Sequence, residues 1–188
     1  NNTKNPFFDN LYRDRRDIHH DLNANLYAIV KLPFGFEYQM NFTPRYHWYE
    51  YMNHESAEHP EWAGDGGRSE RKNEKTFNWQ VDNILRWKKE FGEDHRVEAT
   101  FLQNAEKGQW WKTVAQNKLY SPSDILGFHN IGAGTAPSVS SEDTYKTGDA
   151  LMGRLFYSFK DKYMLTASVR RDGYSAFGSM NPHAVFPA

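Results

Sequence analysis

The segment His54-Glu55-Ser56-Ala57-Glu58-His59 gathers two imidazoles and two carboxylates, the side chains that ligate zinc. A zinc-binding helix needs its histidines at i and i+4, on one face. Here the spacing is i and i+5, which on a helix separates them by about 140°, and Pro60 ends the segment. No metal site is expected. Gly132-Ala133-Gly134-Thr135 lacks the third glycine and the strand-to-helix setting of a phosphate cradle, and reads as a loop element. Arg170-Arg171-Asp172-Gly173 offers two guanidiniums to an anion, but neighbouring strand residues point to opposite faces, so only one can serve. Trp110-Trp111 is different, because loop aromatics stack on sugar rings or pack on a partner. With Tyr120 and Phe128 these tryptophans are the candidate substrate-binding residues. Spacing locates no Ser/His/Asp group or carboxylate pair, so neither catalysis nor a cofactor is expected.

Composition narrows the classes that remain. With 23 Lys plus Arg against 24 Asp plus Glu, the net charge of −1 gives no electrostatic case for nucleic acid. The chain of 188 residues has no cysteine, hence no disulfide framework, thiolate metal site or cysteine nucleophile. No run approaches the ~18 apolar residues of a transmembrane helix, which leaves a β-barrel open. Aromatics make up 16% of the residues, enough to furnish interfacial girdles. The chain begins at Asn1 and stops at Phe186-Pro187-Ala188, where another strand is starting, and reads as a fragment.

The elements that would hold these residues show a period of two. Leu22, Ala24, Leu26, Ala28, Val30 and Leu32 alternate with Asn23, Asn25, Tyr27, Ile29 and Lys31, and after Pro33-Phe34-Gly35 the pattern resumes with Phe36, Tyr38, Met40 and Phe42. Phe77, Trp79, Val81, Leu85 and Trp87 share a face that only Asn83 interrupts. The alternation predicts six strands near 20–32, 36–49, 76–89, 95–106, 148–160 and 162–172, with long loops over 51–74 and 103–147 and a short helix near 123–126. Connections run short, long, short, long, short, which puts tight turns at one end of the sheet and long loops at the other, as in outer-membrane barrels. Phe34, Phe36, Trp87, Phe91, Phe159 and Tyr163 fall beside the tight turns, whereas Tyr46, Trp48, Phe77 and Trp79 lie toward the loops, giving two aromatic belts. Leu22, Leu26, Val30, Phe36, Met40, Trp79, Leu85, Leu155, Leu165 and Val169 are expected to face lipid. Asn25, Gln39, Arg45, Gln80, Asp82, Arg86, Glu98 and Arg154 are expected to face a wet lumen. A soluble, secreted or surface β-sandwich that binds carbohydrate would alternate in the same way, and is the other reading.

ALMGRLFYSFKDKYMLTASVRRDGYSAFG (150–178), followed by Asn181-Pro182-His183-Ala184-Val185-Phe186-Pro187, resembles the strand-turn-strand signature of the SusC/RagA-like TonB-dependent transporters. LGFHNIGAGT (126–135) and NILRWKKEFGEDHRVEATFLQNAEK (83–107) are similar to the middle of that family's barrel. The resemblance implies an all-β, antiparallel transmembrane β-barrel segment, six strands of a barrel of about 22, with a plug domain that lies outside this chain. It also implies a location in the cell outer membrane and import of glycans or peptides. The partners it implies are a SusD-like surface lipoprotein, TonB, an oligosaccharide or peptide substrate and outer-membrane lipid.

Overall fold

The computed structural model describes residue 5, residues 7–177 and residues 183–188. A short helix, α1 (Phe7–Tyr12), precedes eight strands: β1 (Arg13–Asn23), β2 (Leu26–Lys31), β3 (Phe36–Glu55), β4 (Arg68–Phe91), β5 (His95–Lys118), β6 (Ser138–Phe159), β7 (Tyr163–Tyr174) and β8 (His183–Pro187). They form one sheet in the order β1-β3-β4-β5-β6-β7-β8, with β2 also paired to β3. Among the described residues there is no second sheet for the apolar faces to meet, so the sandwich reading is not favoured.

Six strands were expected and eight are found, for identifiable reasons. The strand expected over 20–32 is divided into β1 and β2 at Ala24 and Asn25. Opposite the break stands Pro44, whose carbonyl accepts from the Ala24 N–H at 3.1 Å but which has no N–H to return. The expected start of a further strand at 181–187 becomes β8 from His183; positions 181 and 182 lie outside the described residues. The long loops over 51–74 and 103–147 are corrected: β3 and β4 leave only 56–67 between them, and β5 and β6 only 119–137. Hydropathy alternates only while one face is apolar. Beyond that band both faces carry polar and aromatic residues, and the hydrogen-bonded ladder continues without the signal. In place of the helix near 123–126 there is a 3-10 helix at Gly127–Ala133, and α1 was not anticipated.

The chain forms two compact units. One comprises Asn23–Arg45, Phe77–Gln109 and Tyr145–Ala188. Its registers align Leu26 with Phe42, Ala28 with Met40 and Leu155 with Ala167 on one face, and Tyr27 with Asn41, Lys31 with Glu37 and Arg154 with Ser168 on the other. Leu26, Val30, Phe36, Met40, Leu155, Leu165 and Val169 are all exposed, Leu165 by 67%. A coherent apolar face left this open fits lipid rather than water as its surroundings. Asn83, the polar interruption, is satisfied within that face: it accepts from the Tyr38 hydroxyl at 2.6 Å and donates to Gln103 Oε1 at 2.7 Å. At the tight-turn end Trp87 packs tilted against Phe36 and edge-on against Phe91, and its indole N–H donates to the Phe34 carbonyl at 3.1 Å. The Pro33–Gly35 turn needs glycine, since Gly35 has φ +85° and a Cβ there would come within 2.4 Å of the Lys88 carbonyl oxygen.

The other unit comprises Asn1–Leu22, Tyr46–Thr76 and Trp110–Thr144. It holds much of the buried material: Met52, Asn53, Glu55, His59, Ser69, Asn117 and Phe128.

The two faces of the first unit make opposite demands on the same substitution. Leu155→Arg in the full-length protein is expected to cost about 2–4 kcal/mol if its site is near mid-membrane, and Thr166→Arg, on the opposite face, less than about 1 kcal/mol. Urea titration of refolding into phospholipid vesicles reads both; equal costs would contradict the facing.

Candidate functional site

In the Asn1–Leu22/Tyr46–Thr76/Trp110–Thr144 unit, strand alternation builds two different surfaces. On one, β1 and β3 interlock charges and rings. The Tyr49 hydroxyl donates to Asp17 at 2.7 Å, Arg15 Nε donates to the same carboxylate at 2.8 Å, and the Arg15 guanidinium lies 5.2 Å over the Tyr51 ring. His19 stacks on Tyr49 at 4.5 Å, and His47 Nδ1 is 2.7 Å from Asp21. From β4, Lys72 sits 4.9 Å over Tyr49 and 5.4 Å over Tyr51 while pairing with Glu74 at 3.4 Å. Trp110 joins this surface from β5, its indole N–H 3.4 Å from Glu74 Oε2. The result is a ladder of ring faces among charges, chemistry suited to stacking on a planar or pyranose group and hydrogen-bonding its rim.

The opposite surface is an interior. Phe128 is 1% exposed, covered by the Arg16 guanidinium at 5.3 Å. The 119–137 segment is fastened by Asn117, which is 2% exposed and uses every polar atom it has. Its Nδ2 donates to the Ile131 and Gly134 carbonyls at 2.8 and 2.9 Å, and its Oδ1 accepts from the Lys118 and Ala136 N–H groups at 2.9 Å each. Lys118 also pairs with Asp65 at 2.9 Å, tying the 56–67 connection to the end of β5.

Folding brings together a Ser/His/Asp group that spacing did not reveal. His54 Nδ1 lies 2.9 Å from Ser69 Oγ and its Nε2 lies 3.5 Å from Asp124. Asp124 also accepts the Ala57 N–H at 2.7 Å, and Gly127 rests on the imidazole so closely that a Cβ there would be 2.7 Å from its Cγ. A hydrolase triad presents an open serine to Nε2 and its carboxylate to Nδ1. Here the serine is 0% exposed and the ring is turned the other way, so the group is a buried latch holding two connections to the sheet. Tyr120 meets His54 edge-on at 6.3 Å, and burial pushes its hydroxyl above the usual tyrosine range. His59 belongs to a separate cluster: it is 3% exposed, 3.2 Å from Asp9, and packed by Phe8, Tyr12 and Trp62. Its partners differ from those of His54, and among the described residues no three His, Asp or Glu side chains converge as a metal site.

The four sequence candidates therefore separate. Trp110 and Trp111 are consecutive, half-buried residues of β5 that point to opposite faces, not a loop pair. Tyr120 and Phe128 lie with the latch and the interior. His19, Tyr49 and Tyr51, which join Trp110 in the ring ladder, are not among the sequence candidates: His19 precedes the strand expected over 20–32, Tyr49 ends the one expected over 36–49, and Tyr51 falls where 51–74 reads as loop. The alternation of His47, Tyr49 and Tyr51 was the signal available.

No family model matches the chain. It is 28% identical over 130 residues to TonB-dependent receptor P26 of Formosa agariphila, an alignment covering 68% of this chain and 13% of that protein. To TonB-dependent receptor P39 of the same organism it is 31% identical over 114 residues, covering 60% and 11%. The solved RagAB peptide transporter superposes with a TM-score of 0.86 at 19% identity over 97% of this chain and 20% of that one. RagAB in its open-open state gives 0.82 at the same identity and coverage. The chain thus spans about an eighth of the curated relatives it matches and a fifth of the solved chains. In sequence it is a relative of the TonB-dependent receptors, and its antiparallel sheet is a segment of an outer-membrane β-barrel.

The latch makes a specific demand on its carboxylate. Asp124→Ala leaves the Ala57 N–H without its acceptor and His54 without its counter-group, and is expected to cost about 1–3 kcal/mol. Hydrogen exchange on the full-length protein should show lost protection confined to 56–67 and 119–137; unchanged protection would refute the latch.

Proposed function

We propose that this chain is part of the barrel of a TonB-dependent importer that carries oligosaccharides or peptides across the outer membrane. A SusD-like surface lipoprotein lids the barrel, and TonB supplies the energy through other parts of the protein. The observation that carries this reading is the two-faced single sheet, apolar and exposed on one side and densely polar on the other, matching a transporter's barrel over 97% of its length. That the matched transporter is one of peptides favours peptides over glycans as the first class to test.

Within this reading the ring ladder faces the arriving substrate. Trp110, with His19, Tyr49 and Tyr51, offers stacking surfaces on rigid strands, which hold recognition groups more firmly than loops do. Trp111 points the other way and is assigned to packing or to the lipoprotein. Tyr120 and Phe128 act indirectly, by fixing the 119–137 segment.

In the full-length protein, Trp110→Ala is expected to weaken substrate binding by about 2- to 12-fold, the equivalent of about 0.5–1.5 kcal/mol for one aromatic contact. Trp111→Ala should leave binding unchanged. Uptake and lipoprotein co-purification, measured side by side for both variants, separate the two roles. A gene product found in the soluble fraction would sink the importer reading altogether.

A further inference from the structure

Most charges on the polar face of the Asn23–Arg45/Phe77–Gln109/Tyr145–Ala188 unit answer one another. Arg86 donates to Glu37 at 3.1 Å and Gln39 at 2.7 Å; Asp82 accepts from Gln80 at 3.1 Å and Asn104 at 2.7 Å. Arg170 forks onto Asp172 at 2.8 and 2.9 Å, and Arg96 lies between Glu98 and Asp161 at 3.6 and 3.5 Å. Such pairing leaves little for a solute to bind.

Two places on this face depart from the pattern: Arg154, beside Arg96 and Glu98, has no ion pair or hydrogen bond among the described residues, and a recess on β3 to β6 gathers several such groups. The recess is lined by Arg45 of β3, Asn78 of β4, Glu106 and Gly108 of β5, and Lys146 of β6. Among the described residues, the side chains of Arg45, Lys146 and Glu106 make no ion pair or hydrogen bond. Glycine gives the recess its depth. A Cβ on Gly108 would come within 2.6 Å of Asn78 Oδ1, and one on Gly148 within 2.7 Å of Glu106 Oε1, so any side chain at either position would displace the polar group beside it. Lys107, also in the lining, is turned onto the Tyr145 ring at 5.7 Å, so Arg45 and Lys146 against Glu106 leave a net positive site on this polar face, and an arginine fork matches the two oxygens of a carboxylate.

We propose that this recess is a subsite for a carboxylate-bearing ligand, Arg45 and Lys146 taking the carboxylate and Glu106 accepting from a neighbouring N–H or O–H of the same molecule. The proposal rests on the importer reading and narrows its substrate to acidic peptides or uronic-acid oligosaccharides, which share this chemistry. Neutral glycans would leave both cations unanswered.

The test uses the purified full-length protein and two matched pairs of probes: Asp-Asp-Asp against Asn-Asn-Asn, and trigalacturonate against its trimethyl ester. One acid is expected to bind about tenfold or more tightly than its neutral twin at low salt, with the preference shrinking as salt rises. The pair that discriminates identifies the source of the carboxylate. The double variant Arg45→Gln/Lys146→Gln should abolish the preference while leaving the neutral twin's binding and the ligand-free melting temperature unchanged. Equal binding of acid and neutral twins, no binding of either acid, or a preference that survives the double variant would each overturn the subsite. So would a lowered ligand-free melting temperature, which would mean that the two cations hold another segment of the same protein. Uptake of neutral oligosaccharides or peptides by the wild-type protein in cells would keep the importer reading standing after any of these failures.

Discussion

In hydrocarbon an unpaired backbone N–H or C=O has no water to turn to, so a chain that crosses as strands must pair every strand along its whole depth. That constraint accounts for the most conspicuous features of this sheet. β3 through β7 each have a neighbour on both sides, and β4 and β5 run for 24 residues apiece, well past the ~9–11 residues that a bilayer crossing needs. The ladder yields at Pro44, which has no N–H to contribute, and the strand opposite is interrupted there.

Once the backbone is committed to the ladder, side chains have only two directions to go, and the two solvents sort them. Lipid takes Leu26, Met40, Leu155 and Leu165; the aqueous side takes Gln39, Asp82, Arg86 and Arg154. Polar groups on the lipid side are admitted only when they satisfy one another, as Tyr38, Asn83 and Gln103 do across three strands. Ion pairs on the polar face are water-exposed and contribute little stability one by one; collectively they keep the wall from offering free charges except where the fold leaves them open.

The Asn1–Leu22/Tyr46–Thr76/Trp110–Thr144 unit follows a different logic because it has an interior. There the sheet is a platform on which connections are folded down and fastened, by Asn117 through four hydrogen bonds, by Phe128 as an apolar anchor, and by the Ser69–His54–Asp124 latch. The fastening leaves the other side of the same strands free to display His19, Tyr49, Tyr51 and Trp110 as an ordered set of rings. Rigidity on one face and recognition chemistry on the other come from the same alternation.

What the sequence determined by itself was the part governed by local period and by turn chemistry: the antiparallel sheet, its short hairpins at Pro33–Gly35, Gly92 and 160–162, the two faces between them, and the aromatic groups at the turn end. These are legible because lipid on one side and water on the other write hydropathy into every second residue. The upper halves of β3, β4 and β5 were not legible, since both of their faces carry polar or aromatic residues and the backbone ladder, not hydropathy, keeps them extended. Nor was the company each side chain keeps. Register across β4, β5 and β6 decided that Asn78 faces Gly108 and that Glu106 lies beside Gly148, and chain reversals decided that His54, Ser69 and Asp124 meet across as many as 70 positions of sequence. Neighbour spacing carries no trace of such contacts, because they are set by which strands pair and how far each is shifted. Trp110 and Trp111 show the limit most plainly: adjacent in sequence and alike in chemistry, they are sent to opposite faces of β5 once that stretch is a strand rather than a loop.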